Sequence, residues 1–174
     1  NSLDSYNKTD FINLKDGDKI EVSDIVIEAV HTPGHTKGSM TFLVNDQLLT
    51  GDTLFVNGIA RPDLKDRTDE YAADLFSTYQ DKILNLKENL SVMPGHFTNI
   101  KLNFGEAISS TLKDVKKLPQ LQLSRGEFIS YIKSHLPEKP PNHGTIKRIN
   151  AGELEFYEEE AGDLEEGPNM CTVR

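Results

Sequence analysis

The 174-residue chain has one cysteine, no tryptophan and no long apolar run. A single cysteine, Cys171, can form neither an internal disulfide nor a cysteine-based zinc cage, which points to a cytoplasmic protein. Unbroken apolar stretches extend only a few residues, well short of the roughly 20 that a membrane-spanning helix needs, so no membrane span is expected. Positive charge is also scarce, with 19 Lys and Arg against 28 Asp and Glu for a net charge of −9. No run of Lys or Arg interrupts that balance. A nucleic-acid partner is therefore not expected, because such binding rests on basic side chains neutralising phosphates. The first residue is Asn1 rather than methionine, which suggests trimming or a piece of something longer.

What remains is ordinary globular composition, 36% apolar and 27% charged, enough for one soluble domain or a large part of one. "KIEVSDIVIEAV" alternates as two short strands about Ser23-Asp24, and "MTFLVNDQLLTGD" repeats the device about Asn45-Asp46. In the second hairpin Phe42 and Val44 lie on one face and Leu43 on the other, so helices are expected on both sides of the sheet. Tyr71, Leu75, Tyr79, Ile83 and Leu86 recur at helical spacing, with Thr68 or Asp69 able to cap the start. "LSVMPGH" reads as a short strand ending in a turn. Phe104, Ala107, Ile108, Thr111, Leu112 and Val115 predict a second helix capped by Asn103 and Glu106. Ser124 and Glu127 form another such pair ahead of "FISYIKSHL", which Pro137 stops. "TIKRIN" reads as a last helix with Gly152 just beyond it. Residues 1–152 are thus expected to form the folded part and 153–174 an acidic tail. Strands, a helix, a strand and then helices imply an α/β layered fold with antiparallel pairs, not a doubly wound parallel sheet.

Three segments place a metal-competent side chain just after a predicted strand: His35 after "VIEAVHTPG", Asp52 after "QLLTG" and His96 after "SVMPG". A glycine precedes each and lets the backbone turn sharply there. Ligands gathered from several strand ends are how a rigid scaffold builds a site. Imidazole and carboxylate together suit zinc or ferrous iron. Against this, a lone "TGD" is most often a turn in which Asp bonds its own backbone, and a lone "PGH" means less still. In "HTPGHTKGS", Pro33 and Gly34 argue against a helix that would bring His31 and His35 onto one face. His135 ends a predicted helix where it favours the dipole, and His143 sits in a proline-rich stretch. "GHTKGS" lacks the spacing of a phosphate-binding loop.

"HTPGHTKGS", "LLTGDTLF" and "MPGH", in this order and spacing, resemble the metallo-β-lactamase-fold hydrolases across most of residues 18–105. The resemblance implies an αββα sandwich with metal at one edge of the sheets, and this chain as its C-terminal portion with mixed, largely antiparallel strands. By position it makes His35, Asp52 and His96 the metal-site residues and leaves His31 structural. The family's first motif, histidine-x-histidine-x-aspartate-histidine, is absent: no two of the five histidines are separated by a single residue. The resemblance therefore implies a missing N-terminal half of the same enzyme, and an incomplete site in this chain alone.

Within the family two subgroups fit. Glyoxalase-II-like thioesterases hold two zinc-type ions, with the aspartate bridging and the last histidine a ligand of the second. Persulfide dioxygenases hold one iron through an upstream histidine, His35 and Asp52, and His96 then acts from behind the ligands. "DTLFVNGIARPDL" is similar to the dioxygenase group's Gly-Arg-Pro-Asp-Leu, with Ala60 in place of the glycine. "KPPNHGTIKRINAG" likewise resembles the end of that group's domain. The implied activity is oxidation of a small-thiol persulfide, such as glutathione persulfide, by O₂ to sulfite and thiol, with Fe(II) as cofactor and Zn(II) for the thioesterase alternative. Arg61 could hold a substrate carboxylate or pair with Asp63. A non-catalytic scaffold fragment is the third reading, and a homodimer stays open.

Overall fold

The computed structural model describes residues 12–63, 67–97, 105–138, 143–150, 152–155 and 172–173, without the side chains of residues 143, 147 and 150. The chain divides into two compact units, Leu14–Leu136 with Cys171–Arg174, and Asn1–Asn13 with Pro137–Met170.

The larger unit is built on a six-stranded sheet. Strands β1 (Lys19–Val22) and β2 (Ile25–His31) form the first hairpin, and β3 (Met40–Val44) and β4 (Gln47–Gly51) the second. Both turns fall where the sequence places them. Ser23 and Asn45 take positive φ, 58° and 53°, as tight two-residue turns between twisted strands require. Two short strands, β5 (Leu54–Phe55) and β6 (Gly58–Ala60), follow, and β7 (Ser91–Pro94) and β8 (Ser110–Thr111) come after the first helix. The order is β1-β2-β3-β4-β7-β8, antiparallel throughout except for the β4–β7 pair. A separate three-stranded sheet has the order β5-β6-β9, where β9 is Thr172–Val173. Val173 is fully buried there, so the stretch expected as an acidic tail returns a strand to the sheet.

Helix α1 (Thr68–Ser77) passes directly into a π-helical turn, Thr78–Lys82, and a 3₁₀ turn, Ile83–Asn85. Tyr71, Leu75, Tyr79 and Ile83 are all buried, as their spacing predicts. The N-cap, however, is Arg67 and makes no side-chain capping bond; Thr68 and Asp69 lie within the first turn. There the Asp69 and Glu70 carboxylates complement the helix dipole.

The second expected helix is largely corrected. Asn103 and Phe104 lie outside the described residues, and residues 105–109 are not helical. Gly105 takes φ +87°, and Ser110 and Thr111 pair with Val92 and Ser91 of β7. Pairing the open edge of β7 satisfies backbone groups that a helix would have left without partners. Only one turn follows, α2 (Leu112–Val115), capped by the Thr111 hydroxyl, which accepts from the Asp114 N–H at 3.2 Å. Helix α3 (Arg125–His135) carries the expected Ser124–Glu127 capping box. In the smaller unit α4 (His143–Asn150) ends at Gly152, where φ is +71°. Gly152 N–H bonds the Ile149 carbonyl and Glu153 N–H the Arg148 carbonyl, closing the helix as the sequence implied.

Strand register fixes the two faces of the large sheet. Leu43, Leu48 and Val92 are cross-strand partners and share one face. They pack into the core with Leu75, Tyr79 and Ile83 from the α1 segment and Phe128 and Ile132 from α3. Phe42, Leu49 and Met93 share the other face with Ala29. Phe42 and Met93 are only half-buried there, and Leu49 is 37% exposed. Helices were expected above and below. Among the described residues they cover one side, because the apolar faces of α1 and α3 are spent on each other and on Leu48 and Val92.

Candidate metal centre

Strand direction brings the three marked residues together. Strands β2 and β4 both run antiparallel to β3 and so point the same way, and β7 runs parallel to β4. The C-terminal ends of β2, β4 and β7 therefore share one edge, and His35, Asp52 and His96 follow those ends. Gly51 turns the chain with φ +50°, and its carbonyl accepts from Gly95 N–H at 2.8 Å. A Cβ on Gly95 would lie 3.3 Å from Asp52 Oδ1, so the glycine keeps the carboxylate's space open.

The Asp52 carboxylate stands between two imidazoles. His96 Nδ1 lies 2.5 Å from Oδ1, and His35 Nε2 lies 3.7 Å from Oδ2. The His35 ring is fixed from its other side, where Nδ1–H donates to the Arg61 carbonyl at 2.9 Å. A carbonyl can only accept, so Nδ1 carries a proton and donates it to Arg61, while Nε2 is turned toward Asp52. His35 is buried, whereas the His96 side chain is 54% exposed.

The loop that presents His35 is tied at many points. Gly34 takes φ +140°, and a Cβ there would come within 2.6 Å of Leu75 Cα. The Pro33 carbonyl accepts from the Thr78 hydroxyl at 2.7 Å. His31, the histidine assigned no metal, turns its Nε2 to the Lys37 carbonyl at 2.7 Å, and its own N–H donates to Asp16. It closes the turn from which His35 projects. The buried Thr32 hydroxyl meets those of Thr41 and Thr53 at 3.2 and 3.1 Å, joining this loop to the one that carries Asp52. Of the other histidines, His135 stacks on Tyr131 with ring centroids 4.0 Å apart in the last turn of α3. The side chain of His143 and all of Cys171 lie outside the described residues.

Of the two partners open to Arg61, the structure shows Asp63. Arg61 Nε and Nη2 meet the two carboxylate oxygens at 2.7 and 2.9 Å, and the residue is only 1% exposed. A buried bidentate pair of this kind fixes the backbone around it. The Arg61 carbonyl is thereby held where His35 needs it.

Burial pushes the Asp52 carboxyl up, but the hydrogen bond from His96 and the charges of His96 and His35 outweigh it and hold the group below its ordinary 3.8. The hydrogen bond to Asp52 raises His96 above its ordinary 6.5 against the opposing effect of burial. The raised His96 stabilises the metal-free fold fully below pH 6.5, and that contribution is lost as pH climbs through its folded value. The lowered Asp52 contributes above pH 3.8 and is lost as pH falls through its folded value. Chelator-treated protein should therefore be most stabilised by this pair between these limits. His96→Ala should flatten that maximum in urea titrations run across pH, and an unchanged profile would show that the pair is not formed.

The donor set suits a borderline cation. Two ligand atoms about 2.1 Å from one ion stand roughly 3.0–3.6 Å apart, and His35 Nε2 and Asp52 Oδ2 are 3.7 Å apart. One His with its far nitrogen on a backbone carbonyl, beside a carboxylate, is a common pattern behind zinc and iron. No three His, Cys, Asp or Glu among the described residues are arranged around one point as a complete cage would require. This chain thus fits a metal through two residues, with His96 in reach of the same carboxylate.

The sequence over residues 4–96 matches the family described as the metallo-beta-lactamase superfamily. The chain belongs to that superfamily. A solved metallo-beta-lactamase of Staphylococcus aureus superposes with a TM-score of 0.72 at 29% identity, covering 83% of this chain and 46% of that one. The structure of ETHE1 from Myxococcus xanthus gives 0.69 at 25% identity, covering 82% and 61%. The bovine protein named persulfide dioxygenase ETHE1, mitochondrial, is 32% identical over 130 residues, 72% of this chain and 48% of that protein. The chain spans 38% to 48% of the length of curated relatives it matches. Metallo-beta-lactamase superfamily members are mostly enzymes and bind metal, which agrees with the mixed α/β sheets and the edge site seen here. No helix among the described residues is long and apolar enough to cross a membrane.

Sequence reasoning missed part of the site's support. Tyr79 reads as one more apolar helix position, yet its hydroxyl donates to the Thr53 carbonyl at 2.5 Å and accepts from Ala60 N–H at 3.1 Å. The available signal was the residue type, since a buried tyrosine needs a partner for its hydroxyl.

Proposed function

We propose that this chain is part of an iron-dependent dioxygenase that oxidises a low-molecular-weight thiol persulfide. The net reaction takes one persulfide, one O₂ and one water to one thiol and one sulfite with its protons. The observation that carries the reading is the Asp52–His35 pair, with His35 fixed by Arg61 at the start of the "ARPDL" loop. The named persulfide dioxygenase among the relatives supports it. Bound iron would supply the redox capacity for O₂. His35 Nε2 and Asp52 would hold it, while the remaining ligand is assigned to an N-terminal half that carries the histidine-rich motif. His96, half in solvent, donates its Nδ1–H to the Asp52 carboxylate and, when protonated, could hand its Nε2 proton to a departing thiolate. With Arg61 engaged by Asp63, we assign that residue to the orientation of His35. The compartment assigned is the cytoplasm, on cysteine usage alone.

A second reading has its own support. One carboxylate oxygen faces His35 and the other His96, so Asp52 could serve two zinc ions with a histidine on either side, and such a pair would supply the activated water of a glyoxalase II-like thioesterase. Metal analysis and an oxygen electrode separate the two. The full-length protein should carry one iron per site and consume one O₂ per glutathione persulfide. Two zinc ions, no oxygen uptake and hydrolysis of an acyl-glutathione thioester would establish the second reading instead.

A further inference from the structure

We propose that the π-helical turn Thr78–Lys82 is a positioning device for the metal centre, with the Tyr79 hydroxyl setting the separation of Asp52 from His35. The inference rests on the metal reading above. Three side chains from this one turn reach the backbone of the loop that carries His35 and of the segments beside Asp52 and Arg61. Thr78 donates to the carbonyl of Pro33, two residues before His35. Lys82 donates to the carbonyl of His31 at 2.7 Å, where the same loop begins. Tyr79 joins the other two segments through a single oxygen: Thr53 directly follows Asp52, and Ala60 directly precedes Arg61, whose carbonyl holds the His35 ring. The path from Asp52 to His35 thus runs through Thr53, the Tyr79 hydroxyl, Ala60 and Arg61.

Tyr79 is fully buried. Burial pushes its phenol far above the ordinary range, so the hydroxyl stays protonated and keeps donating to Thr53. The ring packs edge-on against Phe128, with centroids 6.0 Å apart, which anchors the oxygen to α3. A π turn interrupts good helical geometry and occurs often at functional sites. Here it lets Thr78 and Tyr79, adjacent in sequence, reach two different loops. Tyr79 stands one bond further back than a hydrogen bond made to a ligand itself, whose loss typically weakens metal affinity about 10–100-fold.

The test uses the full-length protein, with metal affinity measured by competition against a chromophoric chelator and coordination read from the visible spectrum after cobalt(II) substitution. Tyr79→Phe keeps the ring and removes only the hydroxyl. It should lower affinity by up to about 10-fold, the low end of the range for a bond made to the ligand itself, and shift the cobalt bands. Thr78→Val should act in the same direction more weakly, and it carries the test should Tyr79→Phe not fold. Val115→Ala, a core truncation on α2 outside the turn and its contacts, should lower the melting temperature and leave affinity and bands in place. Melting-temperature losses in Tyr79→Phe and Thr78→Val with unchanged affinity and cobalt spectrum would reduce the turn to a structural element and overturn the proposal. Failure of the unsubstituted protein to bind stoichiometric metal would instead overturn the metal reading, and the inference with it.

Discussion

Asp52→Ala is expected to strip the protein of its metal, lowering affinity by more than the roughly 100-fold that loss of a residue behind a ligand can cause. Among the described residues Asp52 is the group that faces both imidazoles, 2.5 Å from His96 and 3.7 Å from His35. Removing it takes away the anionic donor and leaves His35 as the ligand supplied by the described residues, with nothing to hold the ion on its other side. The side chain is 25% exposed, so its truncation opens onto water rather than creating a dry cavity, and the fold should survive. Elemental analysis after dialysis, set beside a melting curve, reads both effects. An Asp52→Ala protein that retained stoichiometric metal would show that this carboxylate is not a ligand. Asp52→Asn keeps the shape and loses the charge, and should fall between the two.

The second large effect is expected at Gly34, where Ala should cost on the order of 2–5 kcal/mol, combining overpacking with backbone strain. At φ +140° an L side chain is strained before any contact is considered. Its Cβ would also sit 2.6 Å from both Cα and Cβ of Leu75, a fully buried residue in the last turn of α1, where the chain continues into the π-helical turn. Neither the helix backbone nor the core behind it can yield cheaply. The loop must move instead, carrying His35 away from the Arg61 carbonyl. Unfolding by urea should show the loss of stability, and metal affinity should fall with it. A Gly34→Ala protein of unchanged stability would mean that the loop does not pack against α1 as described.

How much of this could be read from the residues follows from the range over which each signal acts. The hairpins were legible because Ser23-Asp24 and Asn45-Asp46 are local turn chemistry between alternating strands. That His35, Asp52 and His96 would lie together was legible because each follows a glycine at a strand end within a motif that resembles the family's, and the strand order places those ends on one edge. The helix expected through Ala107 and Ile108 was not legible. Its periodicity is real, but the claim of the β7 edge on Ser110 and Thr111 is a long-range pairing that no local pattern announces. The π turn left a trace that is clear in retrospect. Tyr71, Leu75, Tyr79 and Ile83 repeat every four residues, whereas an α-helix turns about 100° per residue, so three such steps drift by roughly 120°. All four are nonetheless buried, and the wider turn at Thr78–Lys82 absorbs the drift. The Arg61–Asp63 pair was one of two options from the sequence, because only burial decides between a substrate and a neighbour.

The claim at the centre of this account is that His35 and Asp52 hold one ion between them. Anomalous diffraction at the metal edge, from crystals of the full-length protein, tests it most directly. The account predicts a peak about 2.0–2.2 Å from both His35 Nε2 and an Asp52 carboxylate oxygen, with the His35 Nδ1 bond to the Arg61 carbonyl intact. A metal bound elsewhere, with His35 Nε2 and Asp52 facing each other across empty density, would contradict it.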